Sequence, residues 1–192
     1  MNELSKRVFL LNIVLSQVII YGVGLLLIST ILDDIKLYHL FKFGFNTEAL
    51  VVIIIGSGLL VLLQIIFHKL FPNEKLFDEL NVIIMEKFGL KELFIIFLSG
   101  SIAEEFLFRG IIQSELGIWI ASIFFVIIHF RYYKKLVILL EVFLMSIILG
   151  FTYAITSLLW VAIICHFIVN YSTALLIKKG YIKITEETKS AI

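Results

Sequence analysis

Cysteine and proline each occur once in this 192-residue chain, and both scarcities narrow what it can be. Cys165 sits alone inside an apolar run, so neither a disulfide framework nor a cysteine-based metal site can be assembled. With Pro72 the single proline and no Pro, Ser or Gly-rich linker, nothing divides the chain, which reads as one domain over residues 1–192. Charge is sparse too. Only 16% of residues are charged and the formal net charge is +1. The basic residues are scattered through loops rather than gathered on a face, which argues against a nucleic-acid partner. No G-x-S-x-G elbow and no H-E-x-x-H is present, and Ser101, Ser114, Ser146 and Ser157 lack a convincing Ser/His/Asp partner set.

What the chain has instead is apolar length. Hydrophobic residues make up 61%, above the roughly half found in soluble domains, so lipid is the expected solvent. Val8 to Leu32 carries no charge, enough to cross a hydrocarbon core about 30 Å thick at about 1.5 Å per residue. It is too long for a signal-peptide core and has no Ala-x-Ala-like cleavage site, so it reads as a structural helix, 8–32. Further spans are expected at 49–67, 93–112, a short 117–130, 136–155 and 157–177. Between the second and third, Leu76 to Phe88 spaces Leu76, Phe77, Leu80, Ile83, Ile84 and Phe88 on one helical face, predicting an amphipathic helix at the interface. The expected fold is all-α: a polytopic membrane helical bundle of about six transmembrane helices plus that interfacial helix.

Six spans put both termini on one side, and Lys and Arg indicate which. Of the 16 basic residues, Lys36 and Lys42 fall on one side, Arg109 falls within a span, and all others flank the opposite side. Both termini are therefore expected in the cytoplasm.

Several polar residues do not belong in hydrocarbon. Charges at a helix centre cost about 2.5–3.5 kcal/mol each on insertion scales, on the order of 10 kcal/mol for Glu104, Glu105 and Arg109 together. In SIAEEFLFRG, Glu105 and Arg109 stand i, i+4 with the acid N-terminal, the better order for a helical ion pair. That pair has a purely structural reading, in which it pins its helix to neighbours. Glu104 points about 100° away, so Arg109 cannot serve both acids and Glu104 needs a second partner. Two later spans offer one: Phe125 and His129 are i, i+4, as are His166 and Asn170. A lone intramembrane histidine is more often a packing residue. For all these groups together, the cheapest partners are one another. Helical rise puts Glu104, His129 and His166 within about 8 Å in depth. Glu141, five residues past Leu136, is expected to snorkel to the cytoplasmic interface, and His39 and His68 to be solvated in loops.

Such a cluster makes a competent general-base site. Glu104 would take a proton from water and return it to a leaving amine, with Glu105 held in place by Arg109. His129 would hold and polarise the water, and His166 and Asn170 would donate hydrogen bonds to an oxyanion. Peptide-bond hydrolysis uses all these roles.

E-E-x-x-x-R (Glu104, Glu105, Arg109), F-x-x-x-H (Phe125, His129) and H-x-x-x-N (His166, Asn170), in that order on successive helices, resemble the motifs of the CAAX protease and bacteriocin-processing family. This family is also called the Abi family of intramembrane peptidases. Each motif alone is weak; their joint order and the Arg109–Gly110 step make the match specific over about residues 90–177. The resemblance implies a glutamate-dependent endopeptidase in which the first-motif Glu activates water with the second-motif His and the third motif stabilises the oxyanion. Its substrate would be a membrane-associated or small secreted peptide, through bacteriocin or pheromone maturation or CAAX-like processing. Members have been labelled metalloproteases, and zinc held by Glu104, His129 and His166 is chemically reasonable. A site with no cofactor is the preferred expectation, because Asn is a poor zinc ligand and His166 and Asn170 serve better as donors. The short Lys, Ile and Phe-rich chain looks like the bacterial type, in a plasma membrane.

Two other classes compete. A non-catalytic bacteriocin self-immunity or scaffold protein would keep the polar cluster for packing. A proton-coupled transporter would also carry intramembrane Glu and His, but no inverted repeat or Gly-broken helix pair is evident.

Overall fold

The computed structural model describes residues 3–30, 40 and 42–184. Its helices are α1 (Glu3–Thr30), α2 (Thr47–Leu70), α3 (Glu79–Lys87), α4 (Leu90–Glu105), α5 (Ser114–Ile128), α6 (Leu136–Thr156) and α7 (Leu159–Lys178). A π-helical segment, Phe106–Gln113, joins α4 to α5, and short 3-10 turns cover Asn73–Lys75 and Phe130–Tyr132. No strand occurs among the described residues. The all-α polytopic bundle expected from composition is what forms.

Among the described residues, five stretches are long and apolar enough to cross a membrane: Lys6–Thr30, Thr47–Leu70, Leu90–Ile128, Leu136–Thr156 and Leu159–Lys178. The expected third and fourth spans run together as the 39-residue Leu90–Ile128. That stretch is not straight. Gly117 has φ 81° and ψ 172°, a region essentially open only to glycine. On either side of it, the Phe108 and Phe125 rings meet edge to face with centroids 4.8 Å apart. In a straight helix, residues 17 apart would lie about 25 Å from each other. The chain therefore doubles back at Gly117, and α5 is the short returning limb.

The termini of these helices are locally specified. Asn46 accepts the Ala49 amide at 2.8 Å to start α2, and Asp78 accepts the Asn81 amide at 2.8 Å to start α3; both satisfy otherwise orphaned N–H groups. The amphipathic helix expected over 76–88 is thus α3 proper, preceded by a 3-10 turn. Its Val82 and Met85 are buried, and Asp78 also pairs with Arg131 at 2.7 Å. The Lys135 ammonium, just before α6, donates to the Glu74 and Phe77 carbonyls at 2.6 and 2.7 Å. The 73–77 segment is thereby tied over the start of α6. α1 is the most peripheral helix, held by Lys6 on Glu92 (3.2 Å) and by Gln17 donating to Ser99 (3.0 Å).

Two expectations need correction. Glu141 does not snorkel: it is 8% exposed. Distance along a helix fixes depth but not facing, and this side of α6 turns inward beneath the tied 73–77 segment. His68 is not in a loop; it occupies the last turn of α2, its Nδ1 3.2 Å from the Asn73 side-chain oxygen and its ring against Phe77. His39, Lys36 and Lys189 lie outside the described residues.

Candidate active site

Glu105 and Arg109 are both fully buried, and the Arg109 Nε donates to Glu105 Oε2 at 2.9 Å. The π-helical segment that begins at Phe106 carries Arg109 into the middle of the bundle, where nearly every residue of the segment is buried. Single π-helical turns of this kind recur at functional sites. The other guanidinium nitrogens are satisfied as well: Nη2 donates to Ser146 Oγ on α6 at 2.9 Å, and Nη1 approaches Gln113 Oε1, one turn on in the same segment, at 3.5 Å. The Ser146 hydroxyl donates in turn to Ser122 Oγ at 3.1 Å, and Gln113 donates to the Gly150 carbonyl at 2.8 Å. A buried ion pair is tolerable only with its remaining donors and acceptors occupied, and here they are. The predicted i, i+4 pair is present, but its supports, Gln113, Ser122 and Ser146, were not anticipated. Their signal in sequence is small polar residues inside apolar helices, which is weak because such residues are common there.

The second Glu105 oxygen, Oε1, accepts from His166 Nδ1 at 2.8 Å. This contact, 61 residues apart in sequence, makes Glu105 the tie between α4 and α7. It also orients His166: with Nδ1 bound to a carboxylate, Nε2 is left facing outward, 4.0 Å from Glu104 Oε2. His166 is thus placed near Glu104, at a separation beyond hydrogen-bond reach. Glu104 itself is 24% exposed, whereas its neighbour Glu105 is closed off.

His129 terminates α5, and its Nδ1 lies 2.6 Å from the Phe125 carbonyl. A carbonyl can only accept, so Nδ1 carries the proton and the neutral ring presents Nε2 as an acceptor. Phe125 is the spacer of the group. Its ring lies 4.7 Å from His129, 6.2 Å from His166 and 4.8 Å from Phe108, with the Arg109 guanidinium 5.5 Å from its face. Tyr132 stacks on the other side of His129 at 5.8 Å and reaches Asn81 and Arg131. Burial pushes the Tyr132 phenol above its ordinary range, so it stays a hydrogen-bond donor.

A cavity of about 310 Å³ opens beside these groups, lined by Glu104, Phe125, His129, His166 and Asn170. Its size is that of a small ligand site. Five of the seven residues singled out from the motifs thus line one cavity. The remaining two, Glu105 and Arg109, form the closed layer behind it. Among the described residues, no three His, Cys, Asp or Glu side chains converge as metal ligands. Glu104, His129 and His166, the set zinc would require, are not drawn together to that geometry, while an Nδ1 held by a carboxylate or carbonyl, as in both imidazoles, leaves Nε2 free to act as a ligand atom.

The motif-bearing half matches a family model. Residues 87–172 fit the type II CAAX prenyl endopeptidase Rce1-like description. Over 151 residues the chain is 31% identical to YpbD, an uncharacterized protein of Bacillus subtilis (strain 168), covering 77% of this chain and 76% of that one. The chain belongs to the Rce1-like family. All seven motif residues fall inside the matched Rce1-like segment, which runs from the end of α3 to the middle of α7. α1 and α2 precede it. No solved structure matches this Rce1-like protein. Its apolar helices and its family together identify an integral membrane protein.

Proposed function

We propose that this protein is a glutamate-dependent intramembrane endopeptidase, acting on a membrane-associated or small secreted peptide. The observation that carries this reading is the unequal state of two adjacent acids. Glu105 is sealed and doubly paired, while Glu104 faces the cavity beside two imidazoles, each fixed through Nδ1. Membership of a family described as CAAX prenyl endopeptidase-like supports it.

In the reaction, Glu104 takes a proton from a water that also donates to His129 Nε2. The water oxygen adds to the peptide carbonyl carbon, and the carbonyl π electrons move onto oxygen. Asn170 donates to that oxyanion from its amide, and His166 donates from Nε2 when it carries both protons. Collapse of the tetrahedral species breaks the C–N bond, and the proton held by Glu104 passes to the leaving nitrogen. Glu105 and Arg109 do not touch substrate; they fix His166.

The test is reconstitution in liposomes with prenylated and leader-bearing peptides, comparing wild type with Glu104→Gln, His129→Ala and His166→Ala. Loss of cleavage by about 10²–10⁴-fold in Glu104→Gln is expected. Cleavage unchanged by that substitution would sink the mechanism. Immunity retained in cells by folded, inactive variants would instead assign a non-catalytic role. Cleavage that survives a chelator, in protein free of zinc by elemental analysis, is expected.

A further inference from the structure

Glu141 stands apart from the motifs and is not used by the mechanism above. It sits on α6, 8% exposed, and is one of the residues that line the same cavity as Glu104, His129 and Asn170. Among the described residues, its Oε1 has no hydrogen-bond partner, and no ion pair involves it. A buried carboxyl left in this state is unusual, because buried polar atoms are nearly always partnered. The neighbouring wall is apolar, with Ile138, Val142 and Met145 on the same helix face.

The cavity offers Glu141 no free Lys or Arg, and His129 and His166 are taken up by the proposed reaction. Arg131 is the single Lys or Arg among the described lining residues, and it is committed to Asp78 at 2.7 Å and Asn81 at 2.9 Å. His68 Nδ1 is engaged with Asn73. Arg109 lies in the closed layer with Glu105. Two carboxyls, Glu104 and Glu141, therefore face the space from α4 and α6. One is needed for water in the proposed reaction, and the other is left without a task inside the protein. A charge-assisted bond from an ammonium or guanidinium group is the strongest partner such an oxygen can receive.

We propose that Glu141 is the substrate-selecting group of this cavity, receiving a cationic nitrogen of the peptide close to the bond that Glu104 attacks. The proposal rests on the peptidase reading for the word substrate, but the binding it asserts does not need cleavage. The cation can come from a Lys or Arg side chain or from a free α-amine, and the shared chemistry is that of a desolvated, positively charged nitrogen.

The experiment uses the full-length protein in zwitterionic nanodiscs, where anionic lipid does not compete for basic peptides. A fluorescent nonapeptide series walks one lysine through a Leu/Ala/Ser background, with norleucine at the same position as the neutral control. Each peptide is made with a free and with an acetylated N-terminus. Binding is measured to wild type, Glu141→Gln, Glu141→Asp and Glu141→Lys, all checked for equal thermal transitions. At one or two positions lysine is expected to bind wild type about 30-fold more tightly than norleucine. The preference should fall below about threefold in Glu141→Gln, persist in Glu141→Asp and reverse toward norleucine in Glu141→Lys. Loss of affinity on acetylation alone, at every lysine position and only when Glu141 is intact, identifies the α-amine as the cation and equally supports the proposal. Equal affinities of wild type and Glu141→Gln for the whole series overturn it. Should wild type cleave none of the peptides, or Glu104→Gln cleave them normally, the peptidase reading fails while the Kd comparison still decides the role of Glu141.

Discussion

Glu104 and Glu105 share a peptide bond and almost nothing else. One carboxylate is closed in by Arg109 and His166, the other meets the cavity. Substitutions should separate them. Glu104→Gln is expected to abolish cleavage with a melting transition close to wild type. Arg109→Ala leaves the Glu105 charge buried without its main partner and should cost about 3–5 kcal/mol. Its readout is a lowered midpoint in thermal unfolding of the purified protein. Ser146→Ala removes one bond to the guanidinium and should cost about 1–2 kcal/mol by the same assay. Sequence made the Glu105–Arg109 pair legible, because i, i+4 geometry is local to one helix. The Glu105–His166 contact was not legible, since nothing local says which of two adjacent acids an imidazole on a distant helix will meet. Glu141 was misread for a related reason: its depth could be counted, but the face of α6 it occupies depends on what packs there.

At the scale of elements, the site depends on two glycines with different jobs. Gly117 supplies the positive φ at which the chain reverses, within the first turn of α5. Gly117→Ala should destabilise by about 1–3 kcal/mol through backbone strain, with no clash to relieve, since no atom lies within 4 Å of an added Cβ. Gly150 is a matter of space. A Cβ there would come within 2.8 Å of Ile118 Cγ2 and 3.0 Å of the Gln113 side-chain oxygen. Gly150→Ala is therefore expected to displace Gln113 from Arg109 and cost about 1–3 kcal/mol. A Gln113→Ala background, which removes one of the two obstructions, should shrink that cost, as a thermal-unfolding double-mutant cycle would register. The boundary at Gly117 was readable, because a glycine between two apolar runs marks a break. The π-helical widening before it was not, since its cause is the packing of Arg109 among three helices.

Across the whole molecule, the basic residues divide unequally between the two sides expected from the spans, an asymmetry that predicts cytoplasmic termini and can be tested by labelling. With Cys165 fully buried, cysteines placed at exposed positions report without background. Lys42→Cys is expected to react with an impermeant maleimide in intact cells, and Lys134→Cys only after permeabilisation.

The reversal at Gly117 also bears on how the protein is made. The limb bearing Glu104, Glu105 and Arg109 emerges from the ribosome before Ser122, Ser146 and His166 exist to receive its polar groups. Alone it is a poor candidate for release into lipid, by several kcal/mol on insertion scales. Its departure from the translocon should therefore wait for α6 and α7. Chains truncated at residue 135 are expected to stay crosslinked to the insertion machinery or be degraded, whereas chains extending past residue 178 are released. Synthesis order, on this view, makes the reactive cluster the last part of the protein to meet the bilayer.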